Sequence, residues 1–160
     1  MKRFAAIAML TPLLTFNSYA NDNLERMEEV GEQMSKLMFE AMVHDIAANG
    51  ADVSKLKTLI PDTSWDQPMR DAASCMLDKY EAKIDTAGIT KMLDDMEALL
   101  PKLKGGGMAA LENASNMQPA GISEQEAIAI NKSCGMMDLV QKNMAADGFM
   151  KEVMKMMTGY

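Results

Sequence analysis

The sequence is poor in the side chains that usually carry catalysis or hold cofactors. It contains one histidine and one tryptophan, and aromatic residues make up only 5% of the chain. It has no G-x-S-x-G, no H-E-x-x-H and no glycine-rich phosphate loop. Triad hydrolases need a nucleophile, a base and an orienting group, and His44 with Asp45 is the only histidine-based candidate. We therefore expect a protein that is not an enzyme and that uses no cofactor.

Positive charge is also scarce. The chain has 16 Lys and Arg against 23 Asp and Glu, which gives a formal net charge of −7. Nucleic-acid binding requires clustered basic residues that displace counterions, and an anionic membrane surface repels an acidic chain. This charge excludes a nucleic-acid partner and favours a basic protein partner.

Long apolar runs are missing except at the N-terminus. Two basic residues precede an apolar run from Phe4 to Phe16, and Ser18 and Ala20 then supply small residues at the two positions that a signal peptidase reads. This is the layout of a secretory signal peptide, and the run is shorter than the roughly 20 residues that cross a bilayer. We expect residues 1–20 to be cleaved and residues 21–160 to be exported without a membrane anchor. The expected location is the periplasm of a Gram-negative bacterium, or the medium if the protein is secreted, and the formal charge becomes −9 because Lys2 and Arg3 are lost.

Cysteine occurs only twice, as Cys75 and Cys134. Their wide separation excludes a C-x-x-C redox motif and a zinc knuckle. An oxidising compartment favours pairing of two cysteines in an exported protein. The sequence predicts one structural disulfide between them.

Apolar residues recur at three-and-four spacing along most of the chain, and no alternating strand pattern is present. The prediction is an all-α bundle of about five to six helices in a single domain over residues 21–160. Its helical segments are Asn23–Ile46, Asp52–Ile60, Pro68–Ile84, Ile89–Leu103, Met108–Met117, a helix opened by Ser123, and a last helix from Phe149.

Several residues mark where these helices begin and end. Asn49-Gly50, Gly88 and Asp147-Gly148 are expected to separate helices. Ser123 and Glu126 match a capping box. The helix that follows is expected to point these residues inward: Ala127, Ile130, Cys134, Met137, Val140 and Met144. Three consecutive glycines at 105–107 form the candidate hinge.

Methionine is abundant, with 17 in residues 21–160. Most lie on the same helical faces as Leu, Ile and Val, so the simplest interpretation is that flexible thioethers fill the core. The alternative is a copper(I) site, because that ion prefers soft thioether ligands. Its candidate ligands are Met136, Met137, Met154, Met156 and Met157. Among these, Met136 and Met156 lie off the main apolar arcs.

A methionine-rich surface can also re-pack around an apolar partner. The last helix is expected to be the exposed edge, and Trp65 is expected to anchor the loop Pro61–Pro68. The candidate partner-binding residues are Phe149, Met150, Met154, Met157 and Trp65.

In size, charge and compartment, the chain resembles small exported helical proteins of Gram-negative bacteria that bind other proteins. Immunity proteins, enzyme inhibitors and periplasmic chaperones are examples, and the resemblance assigns no residue a role. The sequence therefore favours a binding protein for another protein. The alternatives are a periplasmic copper(I)-binding protein and a carrier of a small apolar ligand.

Overall fold

A computed structural model shows an all-α chain. It describes the backbone of residues 16–104, 119–146 and 148–158, and the side chains of residues 21–104, 119–144 and 148–156. Over these residues it contains six helices and no strand, which confirms the predicted fold class. The helices are α1 (Phe16–Ala48), α2 (Ser54–Thr58), α3 (Gln67–Leu103), α4 (Glu124–Ser133), α5 (Met136–Ala146) and α6 (Phe149–Thr158).

Some of the sequence predictions lie outside the described residues. These are the glycine hinge at 105–107, the helix Met108–Met117, and residues 1–15 of the expected signal peptide. Among the described helices, none has both the length and the apolar character that a membrane span requires.

Helix α1 is long and ends where the sequence predicted. Gly50 has a φ of +85° and donates its N–H to the carbonyl of Ala47 over 2.9 Å. Glycine adopts this left-handed conformation without the steric cost that other residues incur. The N-terminal part of α1 packs into one core and its C-terminal part into another, so this helix connects the two.

Helix α3 is a helical hairpin made of two legs. Asp85, between the legs, has φ 57° and ψ 178°, which are not helical values. The sequence predicted one helix ending at Ile84 and the next beginning at Ile89, and the break falls within that gap. Gly88 lies in the first turn of the second leg, where its N–H donates to the Asp85 carboxylate over 2.9 Å. A Cβ at position 88 would lie 2.7 Å from the Cβ of Ile84, so the tight approach of the legs requires glycine there.

The two legs of α3 run in opposite directions along α1. Glu28 of α1 pairs with Arg70, while Glu32, further along α1, accepts the N–H of Trp65, which precedes Arg70 in sequence. The first leg is therefore antiparallel to α1. Arg26 pairs with Asp94 of the second leg over 2.7 Å. Leu37 and Pro101, both later in the sequence than that pair, line one groove, so the second leg is parallel to α1.

Helices α4 and α5 replace the single long helix that was predicted after Ser123. The chain turns at Gly135, which has a φ of +77° and donates its N–H to the carbonyl of Lys132. This turn changes the helical register of everything after it. Met136, predicted to lie off the apolar face, is buried, and Met137, predicted to point inward, is 51% exposed. Both predictions failed because they assumed an uninterrupted helix.

The buried side chains form two cores. The first core joins α1, both legs of α3, α4 and the start of α5, and its buried members are Met27, Met69, Ala72, Ala73, Met76, Leu77, Tyr80, Ile89, Met92, Leu93, Ile122, Ile130 and Met136. The second core joins the C-terminal part of α1 with α2 and α6, and its buried members are Phe39, Val43, Val53, Leu56, Phe149 and Val153.

The predicted disulfide ties the first core together. Cys75 on α3 and Cys134 after α4 are bonded, with their Cα atoms 5.7 Å apart. Both cysteines are partly buried, and Cys134 packs against the first core. The bond therefore fixes the end of α4, and with it the turn at Gly135, against the first leg of α3.

Candidate protein-binding surface

Two large apolar side chains stand exposed on neighbouring helices. Ile128 on α4 is 50% exposed and Met137 on α5 is 51% exposed. Both line a shallow groove of about 630 Å³ between the outer faces of the two helices. Val140 and Met144, one and two turns further along α5, continue its apolar wall. An exposed apolar strip with polar residues at its margins is typical of a surface that contacts another molecule.

Helix α4 is held so that Ile128 faces outward. At its start, Glu126 accepts from Lys83 Nζ over 2.7 Å and from the backbone N–H of Ser123 over 3.0 Å. These bonds, with that of Lys83 the largest cause, lower the pKa of Glu126 to about 2. At its end, Ser133 accepts from Lys79 Nζ over 2.6 Å. The capping box predicted from the sequence is therefore confirmed.

A second concave site lies beside the groove, and we call it the Trp65 pocket. Its volume is about 90 Å³. Its lining residues are Ser35, Met38, Phe39, Pro61, Asp62, Thr63, Ser64, Trp65, Met69, Val140, Asn143 and Met144. Val140 and Met144 line both the pocket and the groove, so the two sites adjoin along α5. We call the groove and the pocket together the α5 surface.

Trp65 is fixed by two contacts with α1. Its backbone N–H donates to Glu32 over 2.7 Å. Its ring lies on Gly31, where a Cβ would come within 2.5 Å of the ring carbon Cζ2. Glycine at position 31 is therefore required for the ring to lie this close to the helix. The predicted role of Trp65 as the anchor of its loop agrees with this packing.

The pocket carries negative charge at its rim. Asp62 is the only charged side chain among the described residues that line it. The carboxylate accepts the backbone N–H of Ser64 over 3.0 Å, and this bond is the main cause that lowers the pKa of Asp62. The rim is consequently anionic at neutral pH.

The candidate binding residues chosen from sequence are not brought together as one surface. Phe149 is fully buried against Phe39, with ring centroids 5.0 Å apart, so its side chain lies in the second core and not at the surface. Met150 packs against the same core. Met154 is 59% exposed, and the side chain of Met157 lies outside the described residues. Of the four whose side chains the structure describes, Trp65 alone lines the α5 surface.

Sequence reasoning missed Ile128 and misjudged Met137. Both belong to an apolar strip whose outward orientation depends on the turn at Gly135. The available signal was Gly135 itself, directly after Cys134, since glycine commonly follows the last residue of a helix. A break placed there moves Met137 outward on α5.

The methionines proposed as copper(I) ligands occupy separate parts of the fold. Met136 is buried in the first core, and Met156 packs against the second. Met137 and Met154 are exposed on different helices, and the side chain of Met157 is not described. Among the described residues, no three or more His, Cys, Asp or Glu side chains are grouped to hold a metal ion. His44 is 68% exposed, with its Nδ1 3.4 Å from the Asp45 carboxylate.

Comparisons with protein-family models, with curated proteins and with solved structures found no match to this chain. A functional argument for the chain therefore starts from the geometry of its own surface. The α5 surface is the feature that combines exposed apolar side chains, a concave shape and a defined charge.

Proposed function

We propose that this chain is an exported, non-enzymatic protein that binds another protein through the α5 surface. The observation that carries the proposal is the exposure of Ile128 and Met137 beside one groove. Water contacts about half of each side chain. Burying those halves in an interface contributes about 1 kcal/mol each, and the groove walls add to this.

The composition of the α5 surface suits an adaptable interface. Met137 and Met144 line the groove, and Met38, Met69 and Met144 line the pocket. Unbranched thioether side chains change rotamer at little cost, so they can follow the shape of an apolar partner. A chaperone-like protein or an inhibitor with several related targets would use this property.

Charge supports a basic partner. The formal charge of residues 21–160 is −9 once the two basic residues at positions 2 and 3 are removed. Attraction over a Debye length of about 8 Å raises the association rate of a positively charged protein more than it raises affinity. The proposed setting is the periplasm, because residues 1–20 match a signal peptide and an oxidising compartment favours the Cys75–Cys134 bond.

Site-specific photo-cross-linking in periplasmic extract tests the proposal. A photoreactive amino acid is placed at position 137, at position 128, or at Ala98, which is exposed on the second leg of α3 and lines neither part of the α5 surface. We expect one discrete adduct from positions 137 and 128 and none from position 98. The proposal fails if all three positions give the same adducts or if positions 137 and 128 give none.

A further inference from the structure

We propose that the Trp65 pocket receives one basic side chain, lysine or arginine, from the protein partner. The alkyl stem would lie along the apolar walls, and the charged end would lie at Asp62. This inference rests on the proposed function, and it names the chemistry that the partner presents to one part of the same surface.

The size of the pocket favours the alkyl chain of a basic residue over an aromatic ring. Its volume is about 90 Å³. An apolar cavity of about 150 Å³ accommodates one benzene molecule, so a pocket this size is too small to enclose an aromatic side chain. A chain of three or four methylene groups is narrower. Such a stem fits between Met38, Trp65 and Met144, and long basic side chains commonly bury their stems in this way.

The pocket is located where the two cores meet. Trp65 and Met69 pack with the first core, whereas Phe39, Met38 and Met144 pack with the second. The hollow therefore lies at the boundary between two separately packed groups of side chains. Its walls come from both, and no described side chain fills it.

The polar rim is suited to a cation. Asp62 is negative, and no Lys or Arg is among the described lining residues. Ser35 and Asn143 also line the pocket, and neither side chain is hydrogen-bonded to a described residue. Their oxygen atoms can accept from an ammonium or guanidinium group. The indole of Trp65 adds an attractive face for a cation within about 6 Å.

An uncharged apolar side chain is the competing occupant, because the same walls would hold it. The charge of Asp62 should strengthen binding of a basic side chain and should not affect binding of an uncharged one. Replacing Asp62 by Asn keeps an oxygen that can accept the Ser64 N–H and removes the charge. Asp52 is a matched control because it also accepts the N–H of a serine two residues later, over 2.9 Å, and it does not line the pocket.

Fluorescence of Trp65, the only tryptophan of the chain, reports occupation directly. The mature protein is titrated with three probes: N-acetyl-arginine amide, N-acetyl-lysine amide and the uncharged N-acetyl-norleucine amide. For ligands this small we expect dissociation constants of about 1 mM or weaker. The two cationic probes should bind about two- to five-fold more tightly than the norleucine probe, as expected for one exposed charge pair.

The variants give the decisive result. Asp62→Asn should remove the preference for the cationic probes and leave norleucine binding unchanged, while Asp52→Asn should behave as wild type. Circular dichroism verifies that both variants are folded. In the wild type, added salt should weaken binding of the cationic probes and not of norleucine.

The inference is overturned if norleucine binds as tightly as the cationic probes, if Asp62→Asn keeps the preference, or if Trp65 responds to none of the probes. None of these results affects the cross-linking test. If adducts still form from positions 137 and 128, protein binding stands and only the pocket assignment is lost. If the probes bind as expected and no adduct forms, the preference of the pocket for a cation stands, but the proposed protein-binding function is lost and with it the assignment of that cation to a protein partner.

Discussion

The two cores of this protein are built from different side chains. In the first core, five of the thirteen buried residues are methionines, and Tyr80 is the one buried aromatic residue among them. In the second, none of the six buried residues is methionine, and Phe39 meets Phe149 edge to face at 76°. The first core is closed by a disulfide, whereas the rim of the second has the ion pair of Lys55 with Glu152.

The difference shows how a chain with few aromatic residues can still pack. Thioether side chains fill irregular gaps between helices but specify one arrangement weakly, because they have many rotamers. A covalent bond between α3 and the end of α4 compensates for this. In the smaller core two rigid rings provide the specificity, and no covalent bond is present there. Four changes test the contrast, beginning with the largest expected effect.

Replacing Cys75 and Cys134 together by serine should lower the free energy of unfolding by about 4 kcal/mol. The chain-entropy model gives this value for a loop of 59 residues, the sequence separation of the two cysteines. Urea unfolding of the wild type and the double variant measures it. Amide hydrogen exchange should also rise more in α4 than in α6. Equal increases in the two helices would contradict a disulfide that serves mainly the first core.

Phe149→Leu should lower the free energy of unfolding by about 2 kcal/mol, because it removes both ring volume and the edge-to-face contact with Phe39. Met92→Leu in the first core is the matched change. It should cost less than about 1.5 kcal/mol, since leucine and methionine have similar volumes. Thermal and urea unfolding compare the two. If Met92→Leu costs as much as Phe149→Leu, the methionine core is more precisely packed than we infer.

Asp85→Gly should raise the free energy of unfolding by about 1 kcal/mol. The φ and ψ of Asp85 lie in a region that essentially only glycine adopts, which costs about 1–3 kcal/mol for another residue. Glycine at position 85 relieves that strain. Two smaller effects oppose this gain: the Gly88 N–H loses its acceptor, the Asp85 carboxylate, and the unfolded chain has more conformational entropy. Asp85→Ala should destabilise by about 1 kcal/mol, because it loses the bond and keeps the strain. Destabilisation by the glycine variant would show that the hairpin does not depend on this conformation.

The smallest effect concerns pH. Glu126 has a pKa of about 2 in the folded protein against an ordinary value of 4.5, mainly because Lys83 donates to it. A lowered folded pKa means that the stabilisation is complete above about 4.5 and is lost as the pH falls to about 2. Glu126→Gln should therefore reduce the fall in unfolding free energy over that interval. Glu124→Gln, two residues earlier in the sequence and without an ion pair to a described residue, should leave the fall unchanged. Equal pH profiles for wild type and Glu126→Gln would contradict this role.

Much of the fold follows from local sequence signals. The capping box of Ser123 and Glu126, the stop at Gly50 and the pairing of two cysteines each depend on a few neighbouring residues or on composition, and each is confirmed. The hydrophobic faces of α1 and of both legs of α3 also follow from their spacing. These features can be predicted without knowing how the helices pack.

The errors arise where packing overrides a local preference. Gly135 costs only about 1 kcal/mol inside a helix, so the apolar spacing on both sides of it suggested one helix. The break at Asp85 falls between the predicted helix ends at Ile84 and Ile89, but the backbone conformation of Asp85, which is rare for any residue except glycine, has no local signal in the sequence. The prediction of the candidate site was affected most, because the turn at Gly135 places Met136 inward and Met137 outward.

The central claim is that the outer faces of α4 and α5 form the binding surface. Its most direct test is the affinity of the cross-linked partner for Ile128→Asp, Met137→Asp and the control Ala98→Asp, measured by isothermal titration calorimetry. Each variant loses the roughly 1 kcal/mol of apolar burial and also places a carboxylate in an apolar interface, so we expect each groove variant to bind at least about 30-fold more weakly. The control should bind as the wild type does. Wild-type affinity in both groove variants would contradict the claim.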